Sequence, residues 1–432
     1  MIRSDLPPNL VLAAIAWDAA ARGGTSGRDL LITGALLAAA ALYQSGHDRL
    51  RMCRINPTAL TIILLAFEAW LVARGPLAYG ISLNTLRLPI LVVFVAITLH
   101  VCTCFTQHQR TILARGLVTL GTAHAAIAIA SSAAHFSTID ILKDNVRAAG
   151  LLGNANALGV LLVATMCLTA SHVSDMPLGF RRAALITQAT ALLLTGSRLA
   201  ITIALLIVGW YVFRRRDRRT GLRLLPAAIL AGLIVMLRFD HGEPSRPQLW
   251  QATLEQIDRH PLTGRGPIPQ ILSVDSIGLA PTTQAHNEIL QLTLEYGVVG
   301  LLLAILLLFT VLRNRRVRWG GDRWLVTAAA AITTSGLTDF SLRITAITVT
   351  AAALIGLARE LPSALPTGAP TENKRSPIAW SAIYNSWHRM SALAIDSAGP
   401  ADLRALPGRT EWPRRVRWVN RHMHPHMTRS ER

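Results

Sequence analysis

The sequence predicts an all-α polytopic membrane protein of about twelve transmembrane helices, with one ordered outer loop between the ninth and tenth. Three observations carry that prediction. Hydrophobic residues make up 51% of the 432 and charged residues only 16%, and the mean hydropathy is +0.39. The charges collect in short clusters between apolar runs such as LPILVVFVAITLHVC and GVVGLLLAILLLFTVL, which match the roughly 20 residues that cross a bilayer core of about 30 Å. Basic residues gather at the ends of those runs, as in RRRDRR at 214–219 and RNRRVR at 313–318, where cytoplasmic anchors are found.

Taken in order, the apolar segments are 9–22, 29–44, 58–74, 84–105, 112–134, 150–170, 183–195, 199–213, 222–237, 288–312, 324–341 and 344–358. The first is read as a span, not a cleaved signal, because further spans follow it and no small-residue cleavage site is evident. A cytoplasmic start puts HDRLRMCR, QHQR, FRR, RRRDRR, RNRRVR and the C-terminal tail on one side. Joining 183–195 to 199–213 as one helix would place FRR and RRRDRR on opposite sides, so the pair reads as a hairpin turning at Thr195-Gly196-Ser197.

This distribution also explains the formal net charge of +19, from 43 Lys+Arg against 24 Asp+Glu. Basic residues capping apolar runs are membrane anchors and not a nucleic-acid footprint. The four cysteines lie in or beside apolar runs, which implies no disulfide framework. Residues 1–237 form N-terminal transmembrane helices, 238–287 the outer loop, 288–358 the C-terminal transmembrane helices, and 359–432 a basic cytoplasmic tail. The tail reads as a disordered extension attracted to anionic membrane lipids.

The outer loop has an ordered pattern. Ser245-Arg246-Pro247-Gln248 resembles a capping box with an early proline, followed by Leu249, Trp250, Thr253, Leu254 and Ile257 on one helical face. That face predicts an amphipathic helix lying on the outer leaflet. His260-Pro261 ends it, Arg265 falls between two glycines in a turn, and His286-Asn287 precedes the tenth span. Arg198 follows a tight turn and begins a helix, where a phosphate can meet both a guanidinium and exposed backbone N–H groups. Glu295 falls inside a span, and Asp339 and Arg343 stand at i,i+4, a spacing that permits mutual neutralisation on one helix face. The histidines lack Cys or carboxylate partners at metal-ligand spacing, so neither a metal nor another cofactor is expected.

In combination these motifs are more specific. TGSR at 195–198, R-x-x-x-W at 246–250, HPLTGRG at 260–266 and AHNEILQLTLEYGVVG at 285–300, with GNANALG at 153–159, resemble the O-antigen ligase and polymerase family over roughly residues 150–345. The chain departs from the family's usual proline-glycine turn by carrying Arg265 within it, with Pro267 and Pro269 following. The resemblance implies a bacterial inner-membrane enzyme with a C-type glycosyltransferase-like fold. Its loop and active site would be periplasmic, and it would transfer a glycan from undecaprenyl diphosphate with inversion and without a metal. Such a donor carries its own leaving group, so the protein must stabilise the departing diphosphate and deprotonate an acceptor hydroxyl. Arg198, Arg246 and Arg265 are the diphosphate candidates and His286 the general base, with Glu295 and Asp339 in support. The expected partners are a lipid-linked glycan donor, a lipid A core or glycan acceptor, and membrane lipids. Ligation to lipid A core is preferred, glycan polymerisation is the alternative, and a transporter or flippase is the rival from another class.

Overall fold

The computed structural model describes residues 5–24, 26–47, 57–135, 147–215, 246–268, 285–313, 318–319, 322–336, 339 and 341–360. These belong to the first of two units into which the chain divides, Met1–Pro366; the second, Thr367–Arg432, lies outside the described residues. The described chain is helical in the order α1 (Leu6–Ala20), α2 (Gly27–His47), α3 (Pro57–Arg74), α4 (Pro76–Tyr79), α5 (Leu83–Thr103), α6 (Gln107–His135), α7 (Ala155–Ala170), α8 (Leu178–Thr195), α9 (Arg198–Arg215), α10 (Arg246–Ile257), α11 (Glu288–Arg313), α12 (Arg323–Ser335) and α13 (Thr345–Leu357). Short 3-10 turns occupy Gly150–Leu152 and Ser341–Arg343. A two-residue antiparallel ladder pairs Arg318–Trp319 with Arg359–Glu360.

Four stretches among the described residues are long and apolar enough to cross a membrane: Leu60–Tyr79, Leu83–Thr103, Gln107–Ala133 and Glu288–Val311. Leu302, Ile305, Leu306, Leu308 and Phe309 of α11 are exposed, the surface expected of a helix solvated by lipid. The twelve expected spans are therefore met in part. Segment 222–237 lies outside the described residues, and the predicted span 324–341 instead stops as α-helix at Ser335. Helices α7 and α13, at 16 and 13 residues, reach only about 24 and 20 Å at 1.5 Å per residue. Nearly every residue of both is buried. They form the centre of the bundle, with α7 packed on α6, α8 and α12, and α13 on α1, α5 and α12.

Hydrogen bonds tie the helix ends into two sets. At one end Thr345 donates to the Gly24 carbonyl at 2.9 Å, Arg87 to the Arg343 carbonyl at 3.0 Å, Arg147 to the Thr195 carbonyl at 2.9 Å, and the Glu288 amide to the Gly336 carbonyl at 2.8 Å. At the other, Arg110 donates to the Leu357 carbonyl, Arg115 to the Ser174 carbonyl, Arg359 to the Val311 carbonyl, and Ser171 to the Asp322 carboxylate. The expected site residues belong to the first end.

Helix α10 buries Leu249, Thr253 and Ile257 and packs on α11. The apolar face read from the sequence as lipid-facing is thus largely turned onto the protein, and Leu254 is the member left exposed.

Helix α11 is broken at Gly297, whose φ of 70° and ψ of −177° are not helical. The loop after α10 enters the break. The amides of Arg265 and Gly266 donate to the carbonyls of Leu294 and Glu295 at 2.8 and 2.9 Å, and the amides of Val298 and Val299 donate to those of Pro261 and Leu262 at 2.8 and 3.4 Å. A broken helix is tolerated at membrane depth only when its freed backbone groups find such partners. A Cβ on Gly297 would collide with the backbone of Leu262 and Thr263, and one on Gly264 with that of Glu295 and Gly297. Gly297→Ala is expected to expel the loop: positive φ alone costs on the order of 1–3 kcal/mol, and the collision adds to it. A lowered melting temperature, with new protease cleavage within 258–268, is the expected outcome.

Candidate active site

The site is assembled at the start of α11. Asn287 begins the helix by accepting the Leu290 amide on its side chain at 3.1 Å and the Gln291 amide on its carbonyl at 2.9 Å. His286, just before it, has φ 50°, a left-handed conformation uncommon outside glycine. Neighbours hold it there. The Trp250 indole donates to the Ala285 carbonyl at 3.1 Å, and the Ala285 amide donates to the Gln291 side chain at 2.7 Å. His286 Nδ1 lies 3.4 Å from Asp339 Oδ1, with the histidine side chain 31% exposed and the carboxylate 2%. Ser341 donates to the other Asp339 oxygen at 3.3 Å. A carboxylate at Nδ1 favours the proton there and leaves Nε2 as the basic nitrogen.

One turn further into the helix stands an ion-pair cluster. Arg343 Nε donates to Glu288 at 3.1 Å, and its Nη1 reaches both Glu295 oxygens at 2.9 Å. Gln291 also donates to Glu295, at 2.6 Å. Glu288, Gln291 and Glu295 share one helix face because they are spaced at i, i+3 and i+7. Burial works against the charge on Arg343, but Glu295 and Glu288 outweigh it and hold its pKa above the usual arginine range. The expected alternative, Asp339 and Arg343 neutralising each other on one helix, is not what forms. Arg343 ends a 3-10 turn at Ser341–Arg343 and Asp339 lies before it, and Asp339 meets His286 while Arg343 meets the two glutamates.

The loop that fills the α11 break carries Arg265, whose guanidinium donates to Gln256 at 3.1 Å. Arg74 clamps the same loop from α3, donating to the carbonyls of Thr263 and Gly264 at 3.0 Å each. Arg74, Tyr79, Gln256, His260, Arg265 and Ile268 line a cavity of about 500 Å³. Arg246 opens α10 one turn before Trp250, whose indole bonds the Ala285 carbonyl. Arg198 begins α9 after the turn at Gly196, φ 55°. That turn is fastened by Arg147, which also bonds the Asn156 side chain.

The fold therefore joins His286 to Asp339, joins Glu295 to Arg343, and ties the Arg265 amide to the Leu294 carbonyl next to Glu295. Arg198 stands on a turn bonded to the 147–156 segment. Sequence reasoning did not single out Glu288, Gln291, Arg74 or Arg87. The i, i+3, i+7 pattern of polar residues inside an otherwise apolar helix was the available signal for the first two. The arginines gave no local signal, because their partners are about 190 and 256 residues away in the chain. Among the described residues no group of three or more His, Cys, Asp or Glu is placed to hold a metal ion.

A helical bundle with several membrane-crossing helices, carrying a histidine, carboxylates and arginines on a broken helix and the loop inserted into it, defines a multi-pass membrane protein with a polar site at one end. Residues 183–305 match the family model described as O-antigen ligase. The match supports an O-antigen ligase family assignment for the chain and bears out the resemblance read from its motifs. It runs from α8 into the apolar half of α11 and contains Arg198, Arg246, Arg265, His286, Glu295 and the Gly297 break. The family supports an enzyme of ligase or polymerase type acting on lipid-linked glycans. No curated protein and no solved structure matches the chain.

Arg343→Met would leave two carboxylates facing each other with little solvent. Removing one partner of such a buried cluster costs on the order of 3–5 kcal/mol. Thermal melting should show a large loss of stability for Arg343→Met and a smaller one for Glu288→Gln, which leaves the better-bonded Glu295 pair in place.

Proposed function

We propose that this protein is a metal-independent, inverting glycosyltransferase that moves a glycan from undecaprenyl diphosphate to the lipid A core at the periplasmic face of the inner membrane. The observation that supports this reading best is the pairing of His286 with the buried Asp339 carboxylate, in a backbone conformation that has to be enforced. Strained residues at polar clefts are a recurring mark of function. The acceptor hydroxyl gives its proton to His286 Nε2 as its oxygen attacks the anomeric carbon. The bond from that carbon to the diphosphate oxygen breaks, and the electron pair leaves with the diphosphate. Asp339 keeps the ring oriented and stabilises the imidazolium. Arg198, Arg246 and Arg265 receive the developing charge through bidentate bonds that a point-charge cation cannot reproduce.

The same chemistry with a lipid-linked acceptor is glycan polymerisation. Purified protein given a lipid-linked glycan, with either lipid A core or a second lipid-linked glycan as acceptor, separates the two readings by the product formed.

Asparagine tolerates left-handed backbone, so His286→Asn preserves the local fold while removing the base. Its turnover is expected to fall by roughly 10²-fold or more with an unchanged melting temperature; near-normal turnover would remove His286 from the mechanism. Arg198→Lys should retain little of the activity lost in Arg198→Ala. The proposed topology is checked by cysteine labelling in spheroplasts. An impermeant thiol reagent should reach Gln251→Cys in intact spheroplasts and Arg182→Cys only after lysis, and the reverse pattern would invert the proposed orientation.

A further inference from the structure

A second cavity, of about 640 Å³, opens beside the site and is lined by Arg22, Arg87, Arg343, Gly153, Asn154 and Leu151 among others. Three guanidiniums converge on it from different elements: the end of α1, the first turns of α5, and the 3-10 turn before α13. They are not equivalent. Arg343 is matched by Glu288 and Glu295. Arg87 donates to the Arg343 carbonyl, while its buried Nε and Arg343 Nη2 find no acceptor among the described residues. Arg22 has no ion-pair or hydrogen-bond partner among the described residues. Asp18, one turn earlier on α1, is hydrogen bonded by Thr33 at 2.7 Å and is not among the residues lining the cavity.

The backbone at Arg22 adds a second observation. Its φ is 54°, followed by glycines at 86° and 70°, so the chain leaves α1 through three left-handed residues. Glycine or asparagine fills such a position with little strain, whereas arginine does so at a cost. Strain retained at a cleft marks a side chain that the cleft uses. The opposite wall is the Gly153 turn, φ 68°, where an added Cβ would meet the Arg22 stem at 3.8 Å. Asn154 then caps the 16-residue helix α7, whose N-terminus opens on the cavity and favours an anion there.

We propose that this cavity is a second phosphate-binding site, in which Arg22 and Arg87 hold the oxyanion of a phosphorylated substrate or lipid apart from the arginines assigned to the donor diphosphate. Donors arriving from α1, α5 and the α7 end suit the tetrahedral oxygens of a phosphate. A planar carboxylate would be satisfied by one guanidinium fork. Leu151 lines the same cavity and is exposed, which fits a phosphate carried on an apolar chain. Because Arg343 belongs both to this cavity and to the Glu288–Glu295 cluster behind His286, an anion here lies beside the catalytic end of α11. The inference rests on the proposed function only for the origin of the phosphate, not for its binding.

The test uses the full chain in nonionic detergent carrying Arg198→Gln, Arg246→Gln and Arg265→Gln, so that the assigned donor arginines are removed, and titrates it with inorganic pyrophosphate and with farnesyl diphosphate by calorimetry. Saturable binding of at least one probe is expected to persist and to weaken at least tenfold on adding Arg22→Asn or Arg87→Gln. Arg22→Asn should leave the unliganded melting temperature unchanged or raised, because asparagine suits the left-handed backbone. Binding of both probes identifies the phosphate group itself as the ligand; binding of farnesyl diphosphate alone identifies a lipid-borne phosphate. No binding in this background, or binding indifferent to Arg22→Asn and Arg87→Gln, would overturn the proposal. The donor assignment is read separately, from the affinity that Arg198→Gln, Arg246→Gln and Arg265→Gln themselves remove.

Discussion

Everything at the polar end of this bundle depends on how four backbone amides and four carbonyls are satisfied where α11 breaks at Gly297. A broken helix inside an apolar bundle strands polar groups that lipid cannot solvate, and each would cost several kcal/mol. The 261–266 loop supplies the partners in two pairs, one above the break and one below. Once that joint forms, the loop has a single position, and Arg265, Gln256, Arg74 and α10 follow from it. Trp250 then reaches Ala285, which constrains the residue after it. The strained His286 is thus the last link of a chain of constraints that begins eleven residues later, at a glycine.

Helix α11 is consequently two different objects. Its first half carries Asn287, Glu288, Gln291 and Glu295 and is braced by Arg343; its second half is apolar and exposed along one side. Charge inside a membrane protein persists when it is paired and directed inward, and Arg343 does this for two glutamates at once. The 3-10 turn at Ser341–Arg343 is what makes the division of labour possible. A regular helix would have put Asp339 and Arg343 on one face, and the histidine would have lost its carboxylate.

Much of this was legible in the sequence, for reasons that differ by element. Apolar run lengths and basic clusters located α3, α5, α6 and α11, because crossing a bilayer fixes both length and flanking charge. The turn at Gly196 and the helix from Arg246 were legible because capping and turn chemistry are local. The motifs around Arg198, Arg265 and His286 resemble the family whose model matches residues 183–305. Three features were not legible. The apolar stripe of α10 looks the same whether it meets lipid or another helix, so its burial on α11 could not be inferred. The end of α12 at Ser335 was hidden because the polar residues that follow it are spaced as they would be on a helix. The pairing of Arg343 with Glu288 and Glu295 spans about 50 residues and that of Arg87 with the Arg343 carbonyl 256, and no local pattern records either.

The joint at Gly297 is made of main chain alone, and this bears on how such a site diversifies. Its four bonds specify two glycines, at 264 and 297, and leave the side chains of Leu262, Thr263 and Arg265 outside the bonding. Substitutions at those three positions can therefore accumulate without unfastening the loop. The arginine at 265, between two glycines, is a side chain the joint permits. A surface anchored by its backbone is free to drift in sequence while the distance from the loop to His286 stays fixed, so the groups it presents can change without rebuilding the membrane domain that carries it.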